Sequence, residues 1–254
     1  MNKTMKRLVI TLSVFTVLLG LLAWGVGVID PWVRARVADV IAGAVSDRVD
    51  PADRKRVIAE IGGFSIFTQL ASGRLDDVTV TAPEATLGSA TGDLYLTLTG
   101  MPVDAAIPFT SGKLRVTMPA NTLAEKAVAA ADNQLVGLSA DGDQVKVTRG
   151  FYVAGYSRVF EVWLDLTVQG QNLVITPARA AEDGVGKTFD ELRAAYGSRL
   201  GDSLDPRTAC VAQYFPRGAT LDGVTAEGSN LVFDFTLAAD FIANPEQREA
   251  GSCA

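Results

Sequence analysis

Two apolar periods divide this chain. Beyond an uncharged opening stretch, Val33, Val37, Val40, Ile41 and Ala44 recur at helical spacing behind Asp30 and Pro31, which fit an N-cap and a first helical residue. Residues 57–73 move from a short strand through Gly62 and Gly63 into a brief helix, with Ile66, Phe67 and Leu70 on one face and Gly73 ending it. From there the period becomes two. Val78, Val80 and Ala82 share a face, and Leu94, Leu96 and Leu98 do the same opposite Tyr95, Thr97 and Thr99. "GKLRVTM", Val145 with Val147, "VWLDLTV", "NLVIT" and "NLVFDFTL" continue the alternation, the last with Leu231, Phe233, Phe235 and Leu237 on one side. Strands that bury one face only belong to antiparallel sheets packed against another layer. Helices are expected over 119–134 and after Thr188, so the fold class is α+β. "LDDVTV" at 75–80 and "LDGVTA" at 221–226 echo each other too briefly to imply a repeat fold.

The opening stretch has neither period. Lys3, Lys6 and Arg7 precede an uncharged run from Leu8 to Ile29, which as a helix rising about 1.5 Å per residue would cross the roughly 30 Å of a hydrocarbon core. A cleaved signal peptide would show a shorter apolar region and a small-x-small site, and no lipobox cysteine is present, so the run reads as an uncleaved anchor. Basic residues before it place the N-terminus in the cytoplasm and the remaining chain outside. The expected division is a cytoplasmic N-terminus and transmembrane anchor over 1–29, then an extracytoplasmic domain over 30–254. Trp24 and Trp32 fall where indoles lodge at the outer interface.

Charge narrows the partners. Net charge is −6, and removing the three basic residues of the first 29 leaves the exported part at −9. Its basic residues are scattered among acids, which argues against nucleic acid as a partner. Any lipid would be held by apolar enclosure. The two cysteines, Cys210 and Cys253, allow one bridge that would staple the tail to the body, with two unpaired thiols as the alternative.

Candidate chemistry is sparse. Histidine is absent, which removes the commonest general base and the most versatile metal ligand. Residues 181–188 spell a loose P-loop through Gly186, Lys187 and Thr188, but too little alternating strand and helix follows it. Thr188 and Glu191 instead have capping-box spacing, ahead of Phe189, Leu192, Ala195, Tyr196 and Leu200 on one helical side. No nucleotide is therefore expected. Ser157 in "AGYSR" lacks a nucleophile elbow's second glycine, and the acid pairs Asp76–Asp77 and Asp141–Asp143 fall in turns. No enzyme activity, cofactor or metal is expected.

In "IGGFSIFTQLASGRLDDVTV", residues 61–80, the pattern Gly62, Gly63, Phe64, Phe67, Thr68, Gln69, Gly73, Arg74, Leu75 and Val78 resembles the LmeA-like phospholipid-binding proteins of actinobacterial cell envelopes. Ser65 stands where many members have proline. The late segment "CVAQYFPRGATLDGVTAEGSNLVF" also agrees, so the resemblance covers most of 30–254. It implies a long helix cupped by a curved antiparallel sheet, similar to tubular lipid-binding domains, and non-enzymatic phospholipid binding outside the membrane. It further implies a link to phosphatidylinositol-type lipoglycan assembly. Phe64, Phe67, Leu70 and Arg74 are the candidate lipid-binding residues: the apolar three as groove or core, Arg74 as a headgroup contact or a surface charge. The rivals are a scaffolding domain with a filled core that binds protein partners, and a carboxylate-dependent glycosidase or transferase.

Overall fold

The computed structural model describes residues 29–47, 56–87, 90–121, 135–153, 156–197 and 204–253. The expected membrane span apart from Ile29, Trp24, most of the helix expected over 119–134, and Leu200 lie outside them. Among the described residues no helix is long and apolar enough to cross a membrane.

Helix α1 (residues 29–47) leads to β1 (Ile58–Ile61), the short α2 (Ile66–Ser72), and three long strands, β2 (Arg74–Leu87), β3 (Ala90–Pro102) and β4 (Ser111–Pro119). A meander follows: β5 (Leu135–Asp141), β6 (Gln144–Val153), β7 (Tyr156–Gln169), β8 (Asn172–Glu182) and β9 (Val185–Lys187). Helix α3 (Phe189–Tyr196), β10 (Arg207–Cys210) and the hairpin β11 (Ala219–Glu227) and β12 (Asn230–Leu237) complete it. The first sheet runs β1-β2-β3-β4-β12-β11; the second runs β10-β8-β7-β6-β5, with β9 on β8. Every pairing is antiparallel, as one-sided alternation requires.

Register puts the apolar faces together. Val78 opposes Leu98, Val80 opposes Leu96 and Ala82 opposes Leu94. Val78, Val80 and Ala82 are fully buried, and burying a valine side chain contributes roughly 1.5–3 kcal/mol. The sheets bend where the ladder slips. The β2–β3 register shifts between Ala82 and Ala85, around Pro83, which cannot donate to a ladder, and Glu84, whose φ is +53°. The β7–β8 register shifts beside Pro177 in the same way. Leu166 and Phe233, from different sheets, pack against one buried cluster that holds Val145, Ala226 and Leu231, so the sheets meet face to face there.

Helix α1 lies on the first sheet, as its period predicts, but turned from the expected stripe. Val33, Val37, Ala38, Ile41, Ala42 and Val45 pack against the core, whereas Val40 and Ala44 face outward. Helix α3 packs Leu192 against Phe160 and Ala180 of the second sheet. Cys210 and Cys253 form a disulfide across a sequence separation of 43. A loop of that length, once closed, contributes about 4 kcal/mol by restricting the unfolded chain.

Candidate functional site

The six core-facing side chains of α1 touch the first sheet yet each stays only half-buried. On the sheet side, Leu96, Met101 and Leu114 are likewise half-buried and belong to the same apolar cluster. A helix that sealed a sheet would bury its stripe fully, as β2 buries Val78 and Val80. A seam of half-buried apolar side chains therefore runs where α1 meets the first-sheet core.

One end of this seam is closed by a polar lock that the apolar pattern did not foretell. Arg34 reaches from α1 to the loop after β1 and donates to the carbonyls of Ile61, of Gly62 at 2.8 Å and of Gly63 at 3.2 Å. It also pairs with Asp30 at 3.0 Å, one helical turn back. Asp30 lies inside α1, and its carboxylate serves a different helix from the one expected. Its Oδ1 accepts from the Ser65 hydroxyl at 2.8 Å and from the Ile66 amide at 2.7 Å, which caps α2 from 36 residues away. Burial pushes the Asp30 carboxyl up, but the bonds from Ser65, Arg34 and Ile66, with the Arg34 charge, outweigh it and hold the carboxyl below its ordinary value.

Ser65 is the residue where many members of the resembling family have proline, and it is engaged twice. Its hydroxyl is needed by Asp30, and its φ of −136° lies outside the range a proline ring permits. Gln69, 3% exposed, completes the lock: its amide donates to the Gly62 carbonyl at 2.9 Å and accepts from the Asp76 N–H at 2.8 Å. Gly63 has a φ of +86°, and a Cβ there would stand 2.5 Å from the Gln69 amide nitrogen and closer still to Asp76. Glycine at 63 is thus required by close approach as well as by backbone conformation.

The four candidate residues differ in exposure. Phe64 is 95% exposed in the locked loop, so it is not a core residue. Phe67 is 40% exposed and does not share the buried face of α2, which carries Ile66 and Gln69 instead. Leu70 is half-buried against the first-sheet core and lies with the seam. Arg74 is exposed at the start of β2 and donates to the Gly100 carbonyl at 3.0 Å.

Two of the paired acids have structural partners. Asp141 accepts from the Trp163 indole and, at 3.2 Å, from Arg179, while Asp77 accepts from Thr99 at 3.3 Å. Among the described residues no group of three or more His, Cys, Asp or Glu is placed to hold a metal ion. Residues 181–188 run through the β8–β9 hairpin, an antiparallel turn rather than a strand-to-helix phosphate cradle. Thr188 caps α3 as its spacing predicts. Its hydroxyl accepts from the Glu191 amide at 3.2 Å, and the Glu191 carboxylate accepts from the Thr188 amide at 2.8 Å.

No curated protein and no solved structure matches this chain. A family model described as LmeA-like phospholipid-binding matches residues 29–236, from α1 into β12, and that family is a lipid-binding one rather than an enzyme family. With the glycine loop, α1 and both sheets inside the match, the chain belongs to the LmeA-like phospholipid-binding family.

Proposed function

We propose that this protein is an extracytoplasmic phospholipid-binding module, tethered to the cytoplasmic membrane by residues 8–29. It holds the acyl region of a phospholipid in the seam between α1 and the first sheet, and shields or presents that lipid during envelope lipid or lipoglycan assembly. The observation that carries this reading is the seam of half-buried apolar side chains between α1 and the first sheet; family membership supplies the ligand class. The disulfide fits an oxidising compartment. The net charge of −9 beyond residue 29 leaves apolar enclosure as the main attraction, and the family's lipoglycan link suggests a phosphatidylinositol-type headgroup.

The test is photo-crosslinking of the full chain in vesicles containing a phospholipid with a diazirine in its acyl chain, followed by peptide mapping. Adducts on the peptides bearing Val37, Ile41 and Val45 of α1, or Leu96 and Met101 of β3, are expected. Adducts confined to residues 8–29 would reject the seam and leave a filled scaffold that binds protein partners.

A further inference from the structure

Phe64 poses a question that an acyl-chain seam does not answer. Single exposed apolar residues are ordinary, but this one is 95% exposed, and its neighbourhood is not random. The loop bearing it is fastened to Asp30 and Arg34 of α1, with the Phe64 carbonyl 3.4 Å from Arg34 Nη2 and the Ile66 amide on Asp30. The same stretch of α1 exposes Trp32 by 67% and Ile29 by 51%. Ile29 is also the last residue of the uncharged run from Leu8. The chain thus enters the domain at the point where three large apolar side chains face outward.

We infer that this end of the domain, with Phe64 at its tip, is the surface that seats on the phospholipid bilayer. The inference rests on the anchored, phospholipid-binding reading above and adds where the domain meets its membrane. A side chain that must enter an interface benefits from a rigid mount, because less freedom is lost on docking. The Arg34, Asp30 and Gln69 lock supplies one. The contact is apolar rather than ionic. Arg34 is spent on Asp30 and on loop carbonyls, Glu60 is exposed on β1, and Asp76 and Asp77 stand behind the two glycines. Among the described residues this loop carries no basic side chain, and the exposed Arg36 on α1 is a single charge one turn from Trp32, so docking is mainly apolar and depends little on lipid charge. Aromatic side chains at headgroup depth suit such a contact.

The experiment uses the full chain in vesicles of neutral phosphatidylcholine, and separately in vesicles that add anionic phosphatidylglycerol. Both native cysteines are in the disulfide, so Phe64→Cys and, as a control on the exposed Tyr214, Tyr214→Cys each create one thiol for an environment-sensitive fluorophore. Melting midpoints equal to that of the unlabelled parent establish that the fold is kept. A label at 64 should emit in the blue and be quenched roughly twofold or more by lipids spin-labelled near the headgroup, as expected for interfacial depth, while a label at 214 should not. Salt and anionic lipid should change neither result. Equal behaviour at the two positions overturns the inference. So does a blue shift without lipid quenching, which would mark a protein contact, and so does quenching confined to anionic vesicles. The acyl-chain photolabel on the same preparation separates the two readings. Seam adducts with an unquenched label at 64 sink the docking surface alone, and a quenched label without seam adducts sinks the seam alone.

Discussion

Gly63→Ala tests whether the loop is clamped or merely drawn close. A left-handed backbone carrying a Cβ costs about 1–2 kcal/mol, which applies at the Gly63 φ of +86°. The new Cβ would also meet the Gln69 amide at 2.5 Å and displace it from two hydrogen bonds, to Gly62 and Asp76. Losing those bonds in a site where Gln69 is 3% exposed adds about 2–3 kcal/mol. The total is about 3–5 kcal/mol. Gly73→Ala is the matched control: its φ is +73°, but nothing lies within 4 Å of its would-be Cβ, so only the backbone cost applies. In a chain of this size each kcal/mol moves the melting midpoint by about 2–4 °C. Circular dichroism melts should therefore show Gly63→Ala lower by about 6–20 °C and Gly73→Ala by about 2–8 °C. If the two midpoints coincide, Gln69 and Asp76 yield freely and the account of a rigid mount is wrong.

Three further outcomes are expected. Cys210→Ser should cost about 4 kcal/mol in urea unfolding, and adding reductant should bring the parent to the variant's level while leaving the variant unchanged. Because the folded Asp30 carboxyl sits below its unfolded value of about 3.9, its stabilisation is present above that pH and is lost as pH falls through the folded value. The stability gap between parent and Asp30→Asn should therefore be widest near neutrality and close in acid; a gap that grows on acidification would contradict the sign. Thr188→Ala should cost about 1 kcal/mol through loss of the α3 cap, while Lys187→Ala should stay within about 0.5 kcal/mol and leave any nucleotide titration unchanged.

Much of the fold was legible because it rests on local periods. The runs through Val78, Leu94 and Leu231 became strands with the anticipated faces inward, and Gly73 ended α2 at φ +73°. The capping box at Thr188 was readable because both partners lie within one turn. The candidate site was less legible. By sequence Phe64 and Phe67 are both groove or core candidates, yet Phe64 is exposed in the loop before α2 begins at Ile66. Signals existed for the lock: Asp30 and Arg34 are one turn apart, and Gln69 interrupts an otherwise apolar helix face. The spacing of the first pair is equally that of an exposed surface ion pair, and nothing local distinguishes the two.

By itself the sequence determined what nearest neighbours control: which residues alternate, where helices stop, the absence of histidine chemistry, the uncharged opening run, and the family pattern around Gly62 and Gly63. Tertiary structure alone decided which face of α1 meets the sheet, since Val37 and Val40 are equally apolar and only packing against the first-sheet core distinguishes them. It also decided that Asp30 caps a helix 36 residues away and that Arg34 gathers successive loop carbonyls. Those bonds join groups far apart along the chain, and a hydrogen bond's free energy depends on the partner that folding brings near, which no local pattern records.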